Sequence, residues 1–242
     1  MKDRKVVVVG GGTGIGAAIA EAAARLGAAV LVGGRRTEPL DELTRRCEDV
    51  AGSITGHPVD VGDDASVQAF FQHADQTLGQ IDVMVNSAGT NIVDRTMAAM
   101  KPEDFATVMN INATGAYRCL AAVLPAMRAR RGGLVVQISS VAGKRALELG
   151  GVAYCASKFA MTAMGTAVAN ECRQEGVRIT NVYPGEVNTP LLEQRPVAVT
   201  QEHRQCILQP EDVATLVVSI MQLPPRAHVP EIVIKPTIQH WM

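Results

Sequence analysis

The 242 residues predict an α/β fold, a doubly wound parallel sheet of seven strands with helices on both faces. Three observations carry that expectation. Short β-branched or apolar runs alternate along the chain with longer helical patterns, the order that lays strands parallel and covers both sides of them. A glycine-rich turn joins the first such run to an alanine-rich helix. The composition is 47% hydrophobic but only 3% aromatic, which suits helices packed closely against a parallel sheet. One domain covering residues 1–242 is the simplest arrangement for a chain of this length.

Residues 5–9, Lys-Val-Val-Val-Val, read as the first buried strand. They run into Gly10-Gly11-Gly12-Thr13-Gly14-Ile15-Gly16 and a helix to about Leu26. Strand, glycine turn and helix N-terminus together suit a phosphate, because the turn is tight and no side chain keeps the ligand from the helix amides. The second strand, 28–33, ends in Gly34-Arg35-Arg36 and precedes a helix over about 39–50. At the tip of this strand an acid would hold the 2′-hydroxyl of NAD, whereas arginine favours the 2′-phosphate of NADP. No acid stands there, so NADP(H) is expected, with NAD(H) less favoured.

Strand three, 53–59, leads into Asp60-Val61 and a helix over 63–78, whose Asp63 and Asp64 complement its positive end. Strand four, 81–85, ends in Asn86-Ser87-Ala88-Gly89. A long helical pattern over 101–130 is broken at Asn110-Ile111-Asn112-Ala113-Thr114-Gly115, since asparagine and glycine are poor in helix interiors. Strand five, 134–138, closes at Ser139-Ser140, at the strand ends where ligands gather in such sheets. After a loop over 141–151 comes Tyr154-Cys155-Ala156-Ser157-Lys158. Residues four apart share a helix face, so the Lys158 ammonium is expected beneath the Tyr154 phenol, favouring its ionised form. Strand six, 177–182, runs into Tyr183-Pro184-Gly185-Glu186-Val187-Asn188-Thr189-Pro190. Residues 191–208 are irregular and mixed and read as a mobile lid over a site; a helix over 210–223 and a last strand over 231–235 follow.

Charge and cysteine content narrow the function. The net charge is −1 and the basic residues are scattered, so no face suited to nucleic acid is expected. The apolar run near the start, 6–9, is too short for a signal peptide or membrane span, and a cytoplasmic location follows as the expectation. Five widely spaced cysteines without Cys-x-x-Cys argue against a disulfide framework and a zinc site. The partner expected is a small molecule.

In combination these motifs resemble the short-chain dehydrogenase/reductase family, from Val6 to Lys235. The shared signals fall in the family's order: Gly10-x-x-x-Gly14-x-Gly16, Asp60-Val61, Asn86-Ser87-Ala88-Gly89, Asn112, Ser140 with Tyr154-x-x-x-Lys158, and Pro184-Gly185. The resemblance implies a Rossmann fold and hydride transfer between the nicotinamide and a secondary alcohol or its carbonyl. It implies that Tyr154 is the acid/base and that Ser140 bonds the substrate oxygen. Lys158 would tune the tyrosine and bind the ribose, and Asn112 would hold a relay water. Gly10, Gly14, Ile15 and Gly16 would meet the phosphates, and Arg35 and Arg36 the 2′-phosphate. Asp60 and Val61 would meet adenine, and Asn86, Ala88 and Gly89 would flank the cofactor. Val187 and Thr189 would meet the carboxamide, and Pro184 and Gly185 would also be cofactor-binding.

Three departures from the family pattern stand out. Val9 and Ser87 replace the family's usual threonine and asparagine. The Ser140 to Tyr154 spacing is one residue longer than in many members, which keeps Ser139 as an alternative. The ending Val229 to Thr237 is similar to that of NADP-dependent 3-hydroxy acid and serine dehydrogenases, implying a small hydroxy acid or polar ketone or aldehyde. Arg145, Arg195 and Arg204 are candidates to hold a carboxylate. A 3-oxoacyl-thioester reductase is the alternative enzyme, and a non-catalytic dinucleotide-sensing regulator the alternative of another class. A homotetramer or homodimer paired through the long helices is the assembly the family implies.

Overall fold

A computed structural model describes residues 1–240; Trp241 and Met242, which the expected domain includes, lie outside the described residues. Seven parallel strands form one sheet in the order β3-β2-β1-β4-β5-β6-β7. They are β1 (Lys5–Val9), β2 (Ala29–Gly34), β3 (Ser53–Pro58), β4 (Val83–Asn86), β5 (Gly133–Ile138), β6 (Val177–Pro184) and β7 (Glu231–Ile234). The chain winds outward from β1 through β2 to β3, then returns to pair β4 with the other side of β1. That reversal opens a crevice at the carboxyl ends of β1 and β4, where ligands sit in such sheets.

Period-two alternation sorts the first strand between two cores. Val6 and Val8 pack with Val30, Val32 and Val136 on one face, and Val7 and Val9 with Leu31, Phe70 and Val135 on the other. All four valines are fully buried, each contributing roughly 1.5–3 kcal/mol of transfer free energy. On the first face lie α1 (Gly14–Arg25) and α8 (Pro210–Met221), packed side by side. The small side chains of Ala17, Ala20, Ala23 and Ala24 are buried there, which permits the close approach. On the second face lie α3 (Asp64–Leu78), α5 (Gly115–Ala129) and α6 (Val152–Cys172).

Four elements differ from the sequence expectation. The helix expected over 39–50 is α2 (Thr37–Arg46), with Pro39 inside its first turn, where the missing N–H costs no helical bond. The pattern over 101–130 is α4 (Pro102–Met109), a π turn at Asn110–Thr114, then α5; the break is a wider helical turn rather than a loop. The stretch expected to be irregular, 191–208, contains a 3₁₀ turn at Pro190–Gln194 and the short helix α7 (Gln201–Cys206). Strand β6 runs two residues further than expected and includes Tyr183 and Pro184.

Among the described residues no helix is long and apolar enough to cross a membrane, and no group of three metal-ligating side chains is found. The five cysteines are unbridged; Cys206 alone among them is exposed.

Candidate active site

A cleft of about 500 Å³ runs along the carboxyl ends of β2, β1 and β4 to the start of α6, within the range of small-molecule and cofactor sites. Its floor is the glycine turn. Helix α1 begins at Gly14 with neither a side-chain cap nor an acid in its first turn, so its amides and its positive end are open to an anion. Gly10 holds a φ of +77°, accessible without penalty only to glycine. A Cβ on Gly16 would collide with the Gly10 carbonyl oxygen. These glycines let helix and strand close on each other, and the cradle they form fits a pyrophosphate.

Gly10, Gly14 and Ile15 line this cleft, as do Arg35 and Arg36 after β2, Asp60 and Val61 after β3, Ala88 and Gly89 after β4, Tyr154 and Lys158 on α6, and Thr189. Asp60 is held by an Asx turn, its Oδ1 accepting from the Gly62 amide at 2.8 Å. Five residues expected at the cofactor do not line the cleft. Gly16 packs beneath the turn. Asn86 is buried in the sheet, its Nδ2 donating to Gln137 Oε1 at 3.0 Å. Pro184, Gly185 and Val187 line a second, smaller pocket of about 150 Å³ that adjoins the cleft at Tyr154.

Tyr154 therefore stands where cleft and pocket meet. Burial raises its phenol above the ordinary tyrosine range, opposed by a hydrogen bond with Ser140 and by the charge of Arg95. Ser140, which also lines the pocket, accepts from the Ala142 amide at 3.1 Å. Ser139 points elsewhere, its Oγ meeting Lys158 O at 3.2 Å and Thr162 Oγ1 at 3.0 Å, so the partner of the phenol is Ser140. Lys158 is 4% exposed; its Nζ donates to Ile138 O at 2.9 Å and lies 5.7 Å from the Tyr154 ring centroid. Burial lowers Lys158 to about 8. The ammonium thus lies over the Tyr154 ring, where the four-residue spacing puts it, and the Arg95 charge bears on the phenol as well.

Asn112, wholly buried in the π turn, commits both of its amide hydrogens. Its Oδ1 accepts from Thr90 N at 2.8 Å, and its Nδ2 donates to Thr90 O at 2.9 Å and to Ser157 Oγ at 3.0 Å. Both amide hydrogens are spent, which leaves that side chain no donor for a relay water.

The residues missed from sequence are those that close the small pocket. Arg95 is 6% exposed and lines it. Asn91 N donates to Gln194 Oε1 at 2.8 Å, and Asn91 Nδ2 to Gly150 O at 3.0 Å. These lie in irregular chain whose spacing carries no period, so no sequence signal singled them out. Of the candidate carboxylate holders, Arg195 pairs instead with Glu186 at 2.7 Å, an oxygen it shares with His203. Arg204 Nη1 donates to Asn188 Oδ1 at 3.0 Å.

A family model described as short chain dehydrogenase matches residues 4–198. The chain belongs to the short-chain dehydrogenase family. Its members include relatives across its whole length. It is 34% identical over 241 residues to the glycine betaine reductase ATRR of Emericella nidulans, a match covering 98% of this chain but only 19% of that much longer protein. It is 32% identical to the 3-oxoacyl-[acyl-carrier-protein] reductase FabG of Thermotoga maritima, over 81% of this chain and 79% of that one. Among solved structures, the closed form of a serine dehydrogenase complexed with NADP+ superposes with a TM-score of 0.89 at 26% identity, covering 98% of this chain and 96% of that one. As a short-chain dehydrogenase the protein is an oxidoreductase of the Rossmann type.

Proposed function

We propose that the protein is an NADP(H)-dependent oxidoreductase acting on a secondary alcohol or its carbonyl, a small hydroxy acid or polar ketone or aldehyde. The observation that carries this reading is the position of Tyr154, bonded to Ser140 and beside Lys158, where the long cleft meets the small pocket. When bound, the nicotinamide supplies the hydride-accepting or hydride-donating carbon. The open amides of α1 take the pyrophosphate and Arg35 and Arg36 the 2′-phosphate; the NADP+ complex of the serine dehydrogenase supports that preference.

Ser140 holds the substrate oxygen and the phenol together. Tyr154 gives or takes the proton at that oxygen, a contribution of roughly two to four orders of magnitude in rate. Lys158, brought to about 8 by burial, is placed to exchange protons with the tyrosine side of the site near neutral pH. Asn112 fixes Thr90 and Ser157 behind them. The segment 191–208 acts as lid. The exposed Phe105, Tyr117, Val152 and Phe159 support assembly through α4, α5 and α6.

The test is turnover with NADPH and NADH over a panel of small carbonyls. Wild type is expected to prefer NADPH, and Tyr154→Phe to lose at least 100-fold in kcat. Retention of most activity by Tyr154→Phe would end this mechanism. The 32% identity to FabG favours a second reading, a 3-oxoacyl-thioester reductase, which predicts faster reduction of acetoacetyl thioesters than of any small ketone.

A further inference from the structure

We propose that Arg95 makes the small pocket a receptor for a carboxylate on the substrate, and so selects hydroxy acids and their oxo forms over neutral alcohols and ketones. This rests on Tyr154 being the proton partner of a hydride transfer in the adjoining cleft. The guanidinium of Arg95 is held by its own loop and by two segments distant in sequence. Nε donates to Ile92 O at 2.9 Å, Nη1 to Leu149 O at 2.9 Å, and Nη2 to Gln194 O. Each acceptor is a neutral carbonyl. Among the described residues no carboxylate forms an ion pair with it.

A guanidinium keeps its charge at any physiological pH, and a buried charge without a counter-ion is costly. Arg195 shows the ordinary solution in the same pocket, for it too is largely buried and it pairs with Glu186. With Arg195 and Glu186 cancelling, Arg95 leaves the pocket a net positive charge beside the phenol, and among the described residues none supplies a negative charge to neutralise it. Three of its five N–H groups are spent on carbonyls, and one on each terminal nitrogen remains for an anion. Leu147, Leu149, Val187 and Leu192 give the pocket apolar walls beside the neutral polar side chains of Asn91, Ser140 and Gln239, and its volume of about 150 Å³ suits a compact acid rather than an extended one.

The backbone fixes this cation relative to the chemistry. Val152 N, at the start of α6, donates to Arg95 O at 3.2 Å, and Gly151 with φ +77° leaves no side chain where Arg95 packs. Arg95 is thereby tied two residues from Tyr154, at a separation that lets its charge bear on the phenol.

The test compares small 2- and 3-hydroxy carboxylates with their carboxamides, using wild type, Arg95→Gln and Arg95→Lys with NADP+. Wild type is expected to favour each carboxylate, and Arg95→Gln to lose roughly 10- to 100-fold more in kcat/KM on the carboxylate than on its carboxamide. Arg95→Lys should recover part of that difference. A role in loop structure alone would lower both substrates together, and that equal loss overturns the proposal. So does a wild type indifferent to the charge. Should Arg95→Gln not fold, the wild-type ratio and Arg95→Lys decide. Calorimetric titration of malonate into the protein–NADP+ complex separates the two readings. Binding of malonate that weakens at least 10-fold in Arg95→Lys or Arg95→Gln, in a protein turning over none of the alcohols, upholds the anion receptor and rejects the hydride-transfer reading. Turnover of neutral alcohols with no malonate binding does the reverse.

Discussion

Asn112→Ala separates a structural asparagine from a purely catalytic one. The side chain is wholly buried and makes three hydrogen bonds, one to Thr90 N, one to Thr90 O and one to Ser157 Oγ. Ser157 Oγ retains its bond to Tyr154 O at 2.8 Å, so its loss is small, but both backbone groups of Thr90 lose their Asn112 partner beside the cleft. Two such losses at roughly 1–1.5 kcal/mol each, with a small cavity added, give a destabilisation of about 3 kcal/mol. For a chain of this size that lowers Tm by roughly 6–12 °C. The assay is urea unfolding followed by tryptophan-independent far-UV dichroism, alongside kcat. If Asn112 serves only a relay, kcat falls while the urea midpoint stays. A midpoint shift worth less than about 1 kcal/mol would refute the buried-clamp argument.

Two further predictions concern the cradle and the lysine. Gly16→Ala places a methyl against the Gly10 carbonyl oxygen; overpacking of this kind costs roughly 1–3 kcal/mol, so NADPH should bind about 10- to 100-fold more weakly by titration, and an unchanged Kd would remove the glycine from the argument. Lys158 has its pKa lowered by burial to about 8 from 10.5, so between those values the unfolded chain binds more protons than the folded one and stability rises with pH. The gain from pH 7.5 to 9.5 should be about 2 kcal/mol in wild type and absent from Lys158→Met, read as the difference in urea midpoints between the two proteins.

The fold was legible because its signals are local and repeated. Val6 to Val9, the glycine turn and the alanines of α1 each speak for a parallel sheet covered by helices; the order of its strands is set by pairings between distant segments and came from the structure. The cleft was legible for the same reason: Gly10, Arg35, Asp60 and Ala88 each come just after a strand and Tyr154 lies in the first turn of α6, so their position along the chain places them in space. Residues reached by tertiary contact were not. Asn112 was visible as an oddity inside a helix, but its partners Thr90 and Ser157 were not. Arg95 had no periodic neighbour to mark it, and two of its three carbonyl acceptors, on Leu149 and Gln194, come from segments brought to it only by folding. Pro184 to Val187 shifted from the cofactor cleft to the small pocket because β6 extends through Pro184.

The π turn at Asn110–Thr114 also bears on how this chain can change over time. Such a turn holds one residue more than the α-helical path it replaces. The bulge absorbs that residue locally, so α4 keeps its packing on α6 while α5 keeps its packing on β4 and β5. Deleting one of the five residues would close the segment to a regular helix and withdraw the widened backbone that carries Asn112 to Thr90 and Ser157. The length of this segment and the identity of Asn112 are therefore held together: neither can drift without the other losing its purpose.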